Sequence, residues 1–133
     1  MNFYGLAEAA DAIRARRRVV LVEGNIDVDR LRALGIRNVV APTLHVLHGA
    51  SDARELREFT TTAIIFFDND APGLKAAKVV QSACAAAGID ATIRLVPKGF
   101  RDPEKFVLGA SESDVRRVFG GDPAHGPDAP SYT

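Results

Sequence analysis

The sequence predicts an α/β fold in which about four mainly parallel strands form a sheet flanked by helices. Short apolar runs rich in Val, Ile and Phe alternate with longer amphipathic stretches, as in domains built on a parallel sheet. Within the runs, consecutive residues are apolar, which is typical of strands buried on both faces. A length of 133 residues fits one domain of this kind.

The predicted strands cover residues 19–22, 39–41, 63–67 and 91–96. The predicted helices cover residues 6–17, 26–34, 71–87, 102–108 and 114–119, and a further helix starts at residues 51–52. Pro72 suits a first helical turn, and Gly35 and Gly88 suit helix ends. We expect one domain over residues 1–119. Residues 120–133 are rich in Gly, Pro, Asp and Ser, which predicts a disordered tail.

Composition limits the class of protein. The chain has 17 basic and 17 acidic residues, so no overall positive field favours nucleic acid. The single cysteine, Cys84, cannot form an internal disulfide. No apolar run approaches the ~20 residues of a membrane helix, and no signal-peptide pattern opens the sequence. We therefore expect a cytoplasmic protein without a membrane partner.

Acidic residues directly follow three of the predicted strands. Glu23 and Asp27 follow the first, and Asp68 and Asp70 follow the strand at 63–67. A third acidic segment, Asp102-Pro103-Glu104, comes after the last strand. Chemistry in open α/β sheets is located at the carboxyl ends of strands. Carboxylates gathered there repel one another and have raised pKa values unless a cation is bound, so the pattern indicates a magnesium or manganese site.

Several of these positions also have a structural alternative. Asp70 and Asp102 each precede a proline-led helical turn, where Asp is a preferred N-cap. Asp27 lies in a first helical turn, where a negative charge favours the helix dipole. Gly24 and Gly73 suit close backbone approaches. Asp68 has no such role, because a carboxylate that ends an apolar strand is costly without a partner.

These segments together resemble the Toprim domain, which occurs in bacterial DnaG-type primases, type IA and type II topoisomerases and some nucleases. The primase version is the most similar. The resembling segments are Phe3-Tyr4-Gly5-Leu6, Glu23-Gly24 with Asp27, the stretch 67–77, and Pro97-Lys98-Gly99 leading to Asp102-Pro103-Glu104. The resemblance covers roughly residues 3–108 and implies a single Toprim domain with a Rossmann-like fold.

The resemblance implies a role for each acid. Glu23 matches a glutamate with a general acid, general base or metal-linked role, and Asp68 and Asp70 match the pair that holds Mg²⁺ or Mn²⁺. The positions that can hold a second ion are matched by Asp27, Asp102 and Glu104. The implied enzyme is a metal-dependent nucleotidyltransferase that makes RNA primers in DNA replication from NTPs on a single-stranded DNA template.

The sequence contains neither the Cys/His spacing of a zinc ribbon nor a basic template-gripping subdomain. We therefore expect a partner, such as a zinc-ribbon or helicase component, to supply template binding. The alternatives are a free-standing Toprim nuclease acting on DNA or RNA and a catalytically inactive metal-binding interaction module. Balanced charge disfavours the nuclease, and the complete acidic set disfavours the inactive module.

The basic residues and histidines are less informative. Lys98 and Arg101 lie in the loop after the last strand, on the side of the acids, and are candidates for phosphate contacts. The arginines at 14 and 16–18 precede the first strand and are predicted to be a solvated helix face. His45 and His48 follow the second strand, and we expect loop packing or phosphate contact because imidazole is a poor ligand for Mg²⁺.

Overall fold

The computed structural model describes residues 2–43, 46 and 53–120 and shows a sheet covered by helices on both faces. The strands are β1 (Phe3–Tyr4), β2 (Val19–Leu21), β3 (Val39–Pro42), β4 (Thr62–Ile65) and β5 (Asp90–Ile93). The helices are α1 (Leu6–Arg16), α2 (Asn25–Ala33), α3 (Ala71–Ala86), α4 (Pro103–Gly109) and α5 (Glu112–Phe119), with a 3-10 helix at Arg54–Glu58.

The strand order in the sheet is β1-β3-β2-β4-β5. The four longer strands are parallel, which confirms the predicted fold class, and β1 pairs antiparallel with β3 at the edge. The strand β1 was not predicted, because two residues are too few to show a periodicity. In the register of β2 and β4, Leu21 lies opposite Ile65. The segments with Glu23 and Asp68 therefore leave the sheet at the same edge.

Successive strand residues point to opposite faces, and both faces are covered. Val19 and Leu21 pack on the face covered by α1, α3 and the 3-10 helix. Val20 and Val22 pack on the face covered by α2, α4 and α5. Burial on both sides explains the unbroken apolar runs. Cys84 is buried in the first of these layers, and burial raises the pKa of its thiol to about 11.

Among the predicted strands, the one at residues 91–96 differs most from the structure in the residue at which it ends. β5 ends at Ile93, but its backbone bonding to β4 continues. The N–H of Arg94 donates to the Ile65 carbonyl at 2.9 Å, and that of Val96 donates to the Phe67 carbonyl at 2.8 Å. The predicted strand end at residue 96 therefore coincides with the second of these two backbone hydrogen bonds.

Some predictions fall outside the described residues. They are the helix start at 51–52, the roles of His45 and His48, and the disordered tail predicted over 120–133, apart from Gly120, which is described as the buried C-cap of α5. The domain bounds likewise stay a prediction. Within the described ranges, no helix combines the length and apolar character that a membrane crossing needs.

The end of α5 is joined to the amino end of the sheet by two polar side chains. Asn38 is fully buried, and its Nδ2 donates to the carbonyls of Arg18 and Phe119 at 3.1 and 2.8 Å. Arg18 Nη1 donates to the carbonyls of Arg117 and Val118 at 2.7 and 3.0 Å. The sequence predicted that Arg18 belongs to a solvated helix face. It is instead a structural residue.

We expect Asn38→Ala to lower the free energy of unfolding by about 2–3 kcal/mol, because two carbonyls lose a buried donor. Urea denaturation measures this, with Arg37→Ala as the control. Arg37 is an exposed neighbour, and surface substitutions usually change stability by less than about 0.5 kcal/mol. Equal midpoints for Asn38→Ala and the wild type would show that the junction does not stabilise the fold.

Candidate metal centre

Five carboxylates lie near the carboxyl ends of the parallel strands, within range of one another's charge. Glu23 follows β2, Asp27 lies in the first turn of α2, Asp68 follows β4, Asp70 precedes α3 and Asp102 precedes α4. Their charges act on one another: Asp68, Asp70 and Asp27 raise the pKa of Glu23, while Asp102 raises the pKa of Asp27 and of Asp68. The topology thus brings three separate acidic segments together.

A side-chain hydrogen bond joins the ends of β2 and β4. Glu23 Oε1 accepts from the backbone N–H of Asp68 at 2.8 Å, across 45 residues of sequence. Burial is the main cause of the raised pKa of Glu23, repulsion from the neighbouring acids adds to it, and this hydrogen bond opposes it. The bond fixes Oε1 and leaves Oε2 as the oxygen available to a substrate or ion.

Asp68 has the least compensated carboxylate in this group. Its Oδ1 is buried and has no hydrogen-bond partner among the described residues. Burial, followed by the charges of Asp70 and Asp102, raises the pKa of Asp68. Burial and Asp68 likewise raise the pKa of Asp27, against a hydrogen bond from the Gly24 backbone. An unpartnered buried carboxylate oxygen is destabilising, and a bound cation would relieve it.

Asp70 and Asp102 are helix N-caps, as their sequence positions allowed. Asp70 Oδ1 accepts from the N–H of Gly73 at 2.6 Å, and Asp102 Oδ1 accepts from the N–H of Lys105 at 2.9 Å. Each cap uses one oxygen, and a carboxylate has two. Capping therefore orients these side chains and leaves their second oxygen free to bind an ion.

Glu104 lies apart from the other acids. Its Oε1 is 4.0 Å from Arg30 Nε and 3.9 Å from Lys105 Nζ. It does not contribute to the raised pKa values of Glu23, Asp27 or Asp68. The structure thus brings five of the six predicted acids together and pairs the sixth with cations.

Gly73 is packed against the acidic group. A Cβ atom at this position would lie 2.1 Å from the Asp68 carbonyl oxygen, 2.9 Å from Asp70 Oδ1 and 3.0 Å from Glu23 Oε1. Gly24 is different, because a Cβ atom there would meet only Asp27 Oδ2, at an ordinary 3.7 Å. Close approach therefore requires glycine at position 73 and not at position 24.

The donor set fits a hard divalent cation bound in an open site. Across residues 2–43, 46 and 53–120, no three Asp, Glu, His or Cys side chains are grouped closely enough to hold a metal ion by themselves. The available donors are carboxylate oxygens, and Asp68 Oδ1 lacks a partner. Mg²⁺ is usually held by one or two carboxylates together with waters and substrate phosphates, so an open group of acids suits it.

The fold is an α/β domain, and the site is a group of acidic side chains at the carboxyl ends of its parallel strands. Sequence comparison identifies the family of this domain. The family described as "Toprim domain" matches residues 17–94, which is more than half of the chain. The chain therefore belongs to the Toprim domain family, as its motifs predicted.

Relatives of this chain include several DNA primases. The DNA primase of Aquifex aeolicus is 36% identical over 117 residues, which are 88% of this chain and 23% of that protein. The DNA primase of Myxococcus xanthus is 33% identical over 90% of this chain and 20% of its own length. The crystal structure of the Aquifex aeolicus primase, with zinc-binding and RNA polymerase domains, has a TM-score of 0.76 and 36% identity, covering 89% of this chain and 29% of that one. The chain thus spans about a quarter or less of the length of these curated relatives.

Sequence reasoning missed two arginines, Arg94 and Arg117, which line one cavity with Phe66 and Phe106. Arg94 follows β5 and Arg117 lies in α5. No local pattern links residues so far apart in sequence. Only the packing of α5 against the sheet brings them together.

Proposed function

We propose that this chain is the metal-dependent nucleotidyltransferase domain of a primase, making RNA primers on single-stranded DNA from NTPs. The observation that best supports this is Asp68 Oδ1, which is buried beside the hydrogen-bonded ends of β2 and β4 and has no hydrogen-bond partner in the described part of the chain. The chain's similarity to DNA primases supports the choice of reaction.

In this proposal Asp68 and Asp70 hold Mg²⁺ or Mn²⁺ near Glu23, and Asp27 and Asp102 are available to a second ion. Glu104 would join them only after leaving Arg30 and Lys105. Ions held by these residues would neutralise phosphate charge and, as a pair, would stabilise the attacking and leaving oxygens. Asp70 is held in place by its capping bond, and the raised pKa of Glu23 suits proton transfer by its free Oε2.

Phosphate contacts are assigned to Lys98 and Arg101, which are exposed in the loop between β5 and α4. We propose that a zinc-ribbon or helicase component supplies further template binding. The near balance of charge on this chain fits that division, because phosphate neutralisation dominates non-specific affinity for nucleic acid.

The experiment combines the purified chain with single-stranded DNA, labelled NTPs and Mn²⁺, with and without a candidate partner. We expect RNA products that depend on template and metal, increase with the partner and vanish in Asp68→Ala. Asp11→Ala is the matched control, because Asp11 is an exposed carboxylate of α1. Cleavage of DNA without NTPs would contradict this proposal and favour the Toprim nuclease. Metal binding with neither RNA products nor cleavage would favour the catalytically inactive metal-binding module instead.

A further inference from the structure

The strand β5 is an edge strand of the sheet, because it comes last in the order β1-β3-β2-β4-β5. On one side it pairs with β4, and the N–H groups of Asp90 and Arg94 donate to carbonyls on that side at 2.8 and 2.9 Å. Backbone groups of successive strand residues point to alternate sides. Those of Ala91, Ile93 and Leu95 therefore point away from the sheet.

Most of these outward groups are unpaired. Among the described residues, the N–H groups of Ala91, Ile93 and Leu95 have no hydrogen-bond partner. One outward carbonyl is in use, since Gln81 Nε2 of α3 donates to the Ala91 oxygen at 3.0 Å. A row of unpaired backbone groups on an edge strand can pair with another extended strand. The outer edge of β5 is therefore an interaction surface for a strand.

The side chains at this edge carry opposite charges at its two ends. Asp90, Thr92 and Arg94 alternate onto one face and are all exposed. In the described part of the chain, neither the Asp90 carboxylate nor the Arg94 guanidinium has an ion-pair or hydrogen-bond partner. Arg94 shares a cavity with Asp114, but that carboxylate contacts Arg117 at 3.1 Å. The two free charges lie at equal distances in sequence from Thr92.

We propose that β5 pairs antiparallel with β5 of a second copy of this chain, across a two-fold axis at Thr92. Asp90 of each copy then lies opposite Arg94 of the other, so an ion pair forms on either side of the axis. Ala91 lies opposite Ile93, and their outward N–H and C=O groups bond to one another. The charged pairs occupy the non-hydrogen-bonded positions, where opposing side chains are closest.

Only this register pairs the charges. If the axis moved by one residue to Ile93, Arg94 would lie opposite Thr92 and both charges would be unpaired. If the axis lay at Asp90 or Arg94, like charges would lie opposite each other, which is destabilising. The edge is thus complementary to itself in one register, as a two-fold symmetric interface requires. This complementarity favours a second copy over an unrelated strand.

The dimer is expected to be weak and to depend on concentration. A single strand edge buries less than the about 800 Å² per partner of a stable interface. The two-fold axis reverses the strand direction, so the two acidic groups lie at opposite ends of the joined sheet. Pairing therefore leaves both candidate metal centres open, and the inference is independent of the proposed function.

The first test is sedimentation velocity of the 133-residue chain over a range of concentrations, without metal or NTPs. We expect a dimer whose dissociation constant increases at least about 10-fold in Asp90→Arg and in Arg94→Asp, because each places like charges opposite each other on both sides of the axis. The double variant Asp90→Arg/Arg94→Asp should recover most of the affinity. The controls Asp11→Arg and Arg37→Asp reverse exposed charges elsewhere and should have no effect.

The second test measures the register by cross-linking. The two Thr92 residues would face each other with Cα atoms about 4.5 Å apart, which is within the range of a disulfide. Mild oxidation of Thr92→Cys should therefore give a covalent dimer, while Lys78→Cys, at an exposed position of α3, should not. The native Cys84 is buried and does not compete.

Gln81 provides a variant that should strengthen the dimer. Its amide occupies the Ala91 carbonyl, which in the dimer accepts from Ile93 of the other copy. Removal of this competitor in Gln81→Ala should tighten dimerisation about 2- to 3-fold. A dimer held by another surface would not respond.

Two results would overturn the inference. One is a Thr92→Cys cross-link no more abundant than that of Lys78→Cys. The other is a dimer whose affinity is unchanged in both single charge reversals, which would assign dimerisation to another surface. Asp68→Asn should lose primer synthesis and dimerise as the wild type does, so failure of the primer assay leaves the strand pairing intact.

Discussion

Replacing Gly73 by alanine is expected to lower the free energy of unfolding by about 3 kcal/mol and to abolish metal-dependent activity. The added Cβ would lie 2.1 Å from the Asp68 carbonyl oxygen, a distance that forces α3 away from the end of β4. Overpacking of this kind typically costs about 1–3 kcal/mol, and sometimes more. Displacement of α3 would also move Asp70, whose capping bond is donated by Gly73 itself.

Gly24→Ala is the matched control, since it adds the same methyl group to the other glycine of the acidic motifs. Gly24 has a φ of −129°, which any residue can adopt, and the added Cβ makes only an ordinary contact. We expect a loss of about 1 kcal/mol or less, mostly from the poorer N-cap. Urea denaturation compares the two variants. Helix propensity alone predicts a gain of about 1 kcal/mol for Gly73→Ala, and that gain would contradict the steric argument.

Asp68→Asn is expected to reduce primer synthesis at least about 100-fold while raising the melting temperature of the metal-free chain. Loss of a group that stabilises charge in a transition state typically costs about 100- to 1,000-fold. The substitution also removes a charge that is buried, lacks a hydrogen-bond partner at Oδ1 and is repelled by Asp70 and Asp102. Relief of about 1 kcal/mol would raise Tm by about 3–5 °C in a domain of this size.

The pH dependence of the folding stability follows from the burial of these acids and their mutual repulsion. Burial and neighbouring acids raise the pKa values of Glu23, Asp27 and Asp68 in the folded chain, so the folded state binds protons more tightly than the unfolded state. Stability from these groups is therefore full below the ordinary carboxyl pKa of about 4 and is lost as pH rises through the raised values. The gain in Tm for Asp68→Asn should grow with pH over that interval.

Addition of Mg²⁺ should make the wild type more stable than Asp68→Asn, which is the reverse of their order without metal. Mg²⁺ at ten times its dissociation constant would stabilise the wild type by about 1.4 kcal/mol, and Asp68→Asn should gain little. Thermal melts with EDTA and with Mg²⁺ at several pH values measure both effects, with Asp11→Asn as the control for removing an exposed carboxylate. Equal stabilisation of both proteins by Mg²⁺ would show that the ion binds elsewhere.

The sequence was most informative where the chemistry of a residue depends on its neighbours in sequence. Apolar runs at 19–22 and 63–67 predicted strands buried on both faces, and the structure shows this because helices cover the whole sheet. The caps at Asp70 and Asp102 were readable as alternatives because capping acts within three residues. The short strand β1 was missed because its pairing with β3 depends on a partner distant in sequence.

The sequence by itself determined the fold class, the family and the set of acids, because hydrophobic periodicity and motif spacing are local properties of the chain. The tertiary structure decided how these acids are arranged in space. It joined Glu23 to Asp68, left Asp68 Oδ1 without a partner among the residues described, and placed Glu104 beside Arg30 and Lys105. It also brought Arg94 and Arg117 to one cavity. These outcomes depend on strand register and helix packing, which connect residues far apart in the sequence.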